Sequence, residues 1–301
     1  MAKVDNFSGI CMMVVHAISL SFYYVIIEIL NNTIHPFQIA SLYTFAILVF
    51  VSLSCLKRGF KVHLKTRYLK YHVIRGFLSS FATLFLFFSI QVIGISDAAA
   101  FSKLEHCFMV IIGIFLFNEK LNLHKVILLF GSLFGVIFLI DFRKLTGSFN
   151  RGYIYMLIAL SFWVLNNIYI KKLTQTEESR SQLFYSSLFA VIVNICIMCI
   201  VNFLPYSIQI EIGFKWHKIN VEILMFICVL SFTKFLHKLM FFNSYKVSDI
   251  SIVSPFDYSR LMFTSFLAFL FFNKLPNFNE IVGYSIIMLA GGCFIVFQSK
   301  K

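Results

Sequence analysis

Two carboxylates stand inside long apolar runs, at positions that repeat. Glu105 lies in the run 95–117 and Asp257 in the run 248–272, 152 residues further on. Ser96-Asp97 meets Ser248-Asp249, and Ser102 meets Ser254, at that same offset of 152. An acid at the centre of a hydrocarbon layer costs about 3 kcal/mol, so each carboxylate calls for a partner or a function. Brought into one cavity, the two would receive a cationic group or bind and release a proton. The structural alternative is neutralisation by a neighbour. Asp257 and Arg260 are three residues apart and share a helix face, whereas Lys103 and Glu105 are two apart and point in different directions.

Other groups able to bind a solute lie in matching runs. His16, Tyr23, Tyr24 and Glu28 follow one another along 7–30, and Trp163, Asn166 and Asn167 along 152–171. At an offset of 143, Tyr23 overlays Asn166 and Tyr24 overlays Asn167. Aromatic faces and amides at one depth suit a heterocycle or an amino-acid moiety, with ordinary interhelical packing as the alternative. Lys234, His237 and Lys238 interrupt the run 221–243, where they would bind an anion or extend toward the membrane surface. Pro255 removes a backbone donor and crowds the carbonyl of Ser251, so the helix over 248–272 should kink. Gly131 and Gly135 make a small-xxx-small pattern, read as close packing within a bundle.

The elements that position these groups follow from composition. Of 301 residues 59% are hydrophobic and only 13% charged, so the chain has little surface to offer water. Apolar runs occur at 7–30, 34–56, 70–92, 95–117, 122–141, 152–171, 182–203, 221–243, 248–272 and 278–298. Each is long enough to cross a bilayer, which predicts an all-α polytopic membrane protein of ten transmembrane helices with no room for a soluble domain. The run 7–30 is too long for the core of a signal peptide and is read as a retained first helix.

The net charge of +13 would suggest nucleic acid in a soluble chain. Its placement argues against that. With both termini in the cytoplasm, fifteen basic residues fall on the inside and six on the outside, which is the positive-inside bias. The seven Cys lie in or beside apolar runs and read as small hydrophobes, the pair Cys196 and Cys199 included, since no second pair or nearby His accompanies them. Neither cofactor nor metal is expected. The partners expected are a small-molecule substrate and membrane lipids, not nucleic acid, and a homodimer is left open. Heavy use of Phe, Ile, Lys and Asn beside 13 Gly and 4 Pro is what AT-rich codons of a reduced bacterial genome produce.

The two offsets divide the chain into halves of five spans, 7–141 and 152–298, the growth of the offset being absorbed by the connection 203–220. Five is odd, so the second half enters the membrane in the opposite sense to the first. That is the inverted-repeat plan of secondary transporters, with a substrate site near the midplane between repeats.

The ninth span and its exit carry Val253-Ser254-Pro255-Phe256-Asp257-Tyr258-Ser259-Arg260-Leu261 and then Phe271-Phe272-Asn273-Lys274-Leu275-Pro276. They resemble the Pro-Phe-x-Tyr-x-x-Leu opening and Phe-Gly-Glu-x-x-Pro close of the EamA family of the drug/metabolite transporter superfamily. The first half has Glu119 where that family places its closing Glu. Asn118 stands for the Gly there, and Asn273 replaces the acid in the second half. Within the family the chain most resembles the S-adenosylmethionine uptake transporters of host-dependent bacteria. The resemblance implies a secondary transporter of the bacterial inner membrane, moving S-adenosylmethionine or a similar cationic or zwitterionic metabolite. An exporter of amino acids or drugs is the alternative within the family. From other classes, an intramembrane enzyme finds no nucleophile elbow or His-Glu-x-x-His helix in the chain, and a lipid scramblase would not need paired midplane carboxylates.

Overall fold

The apolar runs become helices in the computed structural model, which describes residues 6–56, 66–117, 123–139, 151–174, 177, 179–205, 217–248 and 254–298. Helix is what the physics demands, because in lipid every backbone N–H and C=O must find its partner inside the segment. Among the described residues there are ten α-helices, one 3-10 segment and no strand. The helices are α1 (Asn6–Asn31), α2 (Pro36–Leu56), α3 (Leu69–Phe101), α4 (Leu104–Phe117), α5 (Leu123–Leu139), α6 (Arg151–Thr174), α7 (Ser179–Phe203), α8 (Val221–Val247), α9 (Ser259–Phe272) and α10 (Phe278–Gln298). Six of them, α1, α2, α3, α6, α7 and α8, are long and apolar enough to cross a membrane.

The short helices α4 and α9, of 14 residues each, mark broken spans. α3 is interrupted at Gly94, whose φ of 78° and ψ of 175° only glycine adopts without strain, and there the fourth span begins. That span breaks again after Phe101. The Lys103 N–H bonds Ala100 O at 3.0 Å rather than the carbonyl four residues back. Its counterpart in the second half enters α-helix only at Ser259, after the 3-10 segment Ser254–Tyr258 that contains Pro255. Both irregular stretches fall at equivalent places, since Ser102 and Ser254 are 152 residues apart. α8, by contrast, runs unbroken through Lys234, His237 and Lys238.

The chain forms two compact units, and each draws on both sequence halves. The first unit comprises Met1–Val25, Val92–Ile154 and Leu236–Lys301, and the second Ile26–Gln91 and Tyr155–Phe235. In the first unit α5 packs on α10, and in the second α2 packs on α7. These are fifth helix on fifth and second on second of the two halves. The α5–α10 approach is close because it is lined with glycine. A Cβ at Gly135 would stand 2.6 Å from Ile287 Cγ1 and 2.9 Å from Gly283 O, and one at Gly131 would stand 2.5 Å from Ala290 Cβ.

Polarity is distributed inside out. Phe45, Phe203 and Phe266 are 59%, 85% and 59% exposed, whereas Glu28, Arg75 and Lys103 are 7%, 3% and 2% exposed. Such an arrangement is stable only where the surroundings are themselves apolar. The closing position Asn273 has a cap role that Glu could not fill as easily. It sits in the left-handed region (φ 52°, ψ 27°), and its N–H bonds Phe269 O at 2.9 Å as α9 ends. Glu119 lies outside the described residues.

Candidate functional site

In the first unit one carboxylate collects two partners from distant parts of the chain. Asp257, on the 3-10 segment, accepts from Lys103 Nζ at 2.5 Å on Oδ2, and the same ammonium reaches the Asp257 backbone carbonyl at 3.0 Å. His16 Nε2 of α1 stands 3.3 Å from the other oxygen, Oδ1. The imidazole is oriented from behind by α8, where His16 Nδ1 lies 2.9 Å from the carbonyl of His237. A carbonyl only accepts, so Nδ1 carries a hydrogen. The Nε2–Oδ1 contact is then attractive only when a second proton sits between the two atoms.

The cation that pairs with Asp257 is therefore Lys103, from the other half of the sequence, and not Arg260 three residues on. Arg260 turns to the break in the fourth span. Its Nη2 donates to Ala99 O at 3.3 Å and to Ser102 Oγ. Ser102 Oγ also donates to Ala99 O, at 2.6 Å. This explains how the break is tolerated: Ala99 O, no longer the acceptor of Lys103 N–H, is satisfied by a hydroxyl and a guanidinium.

Aromatic rings receive both cations. Lys103 Nζ lies 4.7 Å from the centroid of Tyr258, and the Arg260 guanidinium 5.6 Å from that of Tyr24. Tyr24 is wholly buried on α1 and edge-on to Tyr23 at 6.1 Å, and Tyr23 approaches His237 at 6.4 Å. The α1 face is held to α9 by Ser21 Oγ, 2.9 Å from Thr264 Oγ1. Glu105 opens α4 half-buried, close enough for its charge to act on Lys103 and Tyr24. Lys238, also half-buried, belongs to the same unit.

The remaining candidates belong to the second unit. Lys234 Nζ stands 5.3 Å over the Trp163 ring, joining α8 to α6. Asn166, one turn after Trp163 and buried, accepts from Arg75 Nε at 3.4 Å, while Asn167 is half-buried and Glu28 buried. Thus eight of the thirteen named residues, His16, Tyr23, Tyr24, Lys103, Glu105, Lys238, Asp257 and Arg260, fall in one unit. The other five, Glu28, Trp163, Asn166, Asn167 and Lys234, fall in the second.

Sequence reasoning passed over several members. Tyr258 and Ser102 were visible only as parts of motifs, and Arg75 only as one basic residue within a span. His72, Glu177 and Gln182 drew no attention, yet His72 Nε2 lies 2.7 Å from Glu177 Oε2, and Gln182 Oε1 accepts from Arg75 at 3.2 Å. The available signal was the rule already applied to Asp257, that an ionisable group within an apolar run needs a named partner.

The family profile described as the EamA-like transporter family matches residues 7–141 and again 150–298. The chain belongs to that family. Its relatives include S-adenosylmethionine uptake transporters of Rickettsia prowazekii (strain Madrid E) and Rickettsia conorii (strain ATCC VR-613 / Malish 7), each 22% identical over 98% of this chain and 94% of the relative. That of Rickettsia felis (strain ATCC VR-1525 / URRWXCal2) is 21% identical with the same coverage. A protein crystal structure matches with a TM-score of 0.64 and 13% identity over 98% of both chains, a likeness of fold. This EamA-like protein is a multi-pass membrane transporter that binds a small-molecule substrate, and not an enzyme.

Proposed function

We infer that this transporter takes up S-adenosylmethionine, or a zwitterion of similar charge pattern, across the inner membrane of a bacterium. The observation that carries the reading is Asp257, a carboxylate in a broken span that already holds an ammonium at 2.5 Å beside aromatic rings. A sulfonium or ammonium of the substrate meets the same requirements as Lys103 Nζ. It takes the place of that ammonium on the carboxylate and on the Tyr258 face, with Glu105 adding a second negative charge. The adenine ring is suited by the faces of Tyr23 and Tyr24. His16, Arg260 and Lys238, of the same unit, complete the set proposed to line the path there. The names of the relatives, matched over nearly the whole chain, lend independent support.

Competition during uptake tests the substrate. S-adenosylhomocysteine, which keeps the adenosine and amino-acid ends and lacks the sulfonium, should compete for entry, while simple anions should not. Strong inhibition by a dicarboxylate or sugar phosphate, with none by adenosyl compounds, would sink the reading.

The proposal includes the repeats 7–141 and 152–298 in opposite senses, with both termini in the cytoplasm. Reporter fusions after Lys61 and after Lys301 should both give a cytoplasmic signal. An external signal at either position contradicts five spans per repeat.

A further inference from the structure

The ammonium of Lys103 occupies the place that a transported cation would take. It donates to Asp257 Oδ2 at 2.5 Å and to the backbone carbonyl of the same residue at 3.0 Å, and it lies 4.7 Å from the centroid of the Tyr258 ring. An acid, a carbonyl and an aromatic face together are what a small organic cation requires. The side chain is 2% exposed, so this is an interior contact of the first unit and not a surface ion pair. The break in the fourth span delivers it, where the Lys103 N–H turns to Ala100 O.

The other charges of the unit do not duplicate this role. His16 Nε2 stands 3.3 Å from Asp257 Oδ1 and is part of a cation only when both ring nitrogens are protonated. Arg260 acts on Asp257 from further off, its guanidinium being directed to Ala99 O and Ser102 Oγ. Glu105, two residues along from Lys103, acts on the same ammonium with a second negative charge. The unit therefore has an acid to receive Lys103 when a substrate cation takes Asp257.

A secondary transporter moves solute in one net direction only if its empty site can return across the membrane. A buried carboxylate without a partner is costly throughout that return. A carrier under that cost returns only when loaded, and so exchanges one solute for another. An acid neutralised by a side chain of the same protein removes the cost.

We propose that Lys103 is a tethered substitute for the substrate cation, which neutralises Asp257 in the empty carrier and makes the protein a net importer rather than an obligatory exchanger. When substrate enters, its cation displaces the ammonium from Asp257 and from the Tyr258 face, and Lys103 passes to Glu105. The assignment rests on the cationic substrate inferred above and adds to it the mode of transport.

The test uses the purified full-length protein in liposomes, either empty or loaded with unlabelled S-adenosylmethionine, and reads initial uptake of the labelled compound. The wild type should fill both, at rates within about threefold of each other, because its empty site returns without an unpaired acid. In Lys103→Met the ratio of loaded to empty uptake should rise by about tenfold or more, since the returning site now carries that acid. The same variant should bind S-adenosylmethionine about tenfold more tightly in detergent, the competing ammonium being gone. A residue that only supports the fold would lower the affinity when removed. Lys103→Arg keeps a cation that can grip the carboxylate with two N–H groups, so it should keep the low ratio and weaken binding. If the methionine variant does not fold, Lys103→Gln, which loses the charge and keeps a donor, is read in its place. A wild-type ratio or weaker binding in the neutral variant overturns the assignment, as does tighter binding in Lys103→Arg. Wild-type uptake confined to loaded liposomes overturns it too, while leaving the substrate reading intact. Absence of saturable uptake from both kinds of liposome defeats the substrate reading itself.

Discussion

Asp257→Asn should lower initial uptake by about a hundredfold while the protein still reaches the membrane. The amide keeps the shape of the carboxylate and removes its charge. A substrate cation loses the group that would receive it, and a lost charged partner is worth about 2–3 kcal/mol, or close to that factor in affinity. The change also strands Lys103, which is 2% exposed and has Asp257 Oδ2 at 2.5 Å. Breaking a buried pair from one side costs about 3–5 kcal/mol, so the variant should also unfold at a lower temperature. The double variant Lys103→Met with Asp257→Asn separates the two effects. It removes the stranded charge, so thermal stability in detergent should recover, whereas uptake should not. Recovery of uptake together with stability would mean that the carboxylate serves only as a counterion.

Arg260→Met lowers stability by about 2–4 kcal/mol, read as the unfolding midpoint of the purified protein. The side chain is 6% exposed and spends its Nη2 on Ala99 O and Ser102 Oγ, at the point where the fourth span leaves helical geometry. Methionine fills comparable volume and donates nothing. The carbonyl of Ala99 then depends on the Ser102 hydroxyl alone, its helical donor having turned to Ala100 O. The Tyr24 ring loses its cation at 5.6 Å as well. Arg260→Lys should recover part of the loss, since an ammonium still donates to the carbonyl. Unfolding midpoints equal to wild type in the methionine variant would show that the break needs no side chain from α9.

Much of the fold could be read before any coordinates, because lipid leaves a chain so few choices. Each apolar run longer than about 20 residues had to be a helix, and the boundaries near Gly94, Pro36 and Phe278 follow from breaks visible in the chain. The paired acids were legible too, since Glu105 and Asp257 repeat at one offset. What escaped was pairing across distance. Periodicity links residues three or four apart, so it nominated Arg260 for Asp257. The actual partner, Lys103, is separated by 154 positions and is brought near by a fourth span that breaks at Ser102. The same blindness hid the contacts of Arg75 with Asn166 and Gln182, and of His72 with Glu177, which bring together α3, α6, α7 and the α6–α7 connection. Asn273 shows a different limit. In the motif it looks like a lost acid, and only its backbone angles reveal a helix cap.

Uptake of labelled S-adenosylmethionine into liposomes containing the purified protein tests the central claim most directly, with Asp257→Asn reconstituted alongside. The account predicts saturable accumulation by the wild type, displaced by unlabelled substrate and absent from the Asp257→Asn vesicles. Accumulation no greater than in empty liposomes, or equal transport by both proteins, would contradict it.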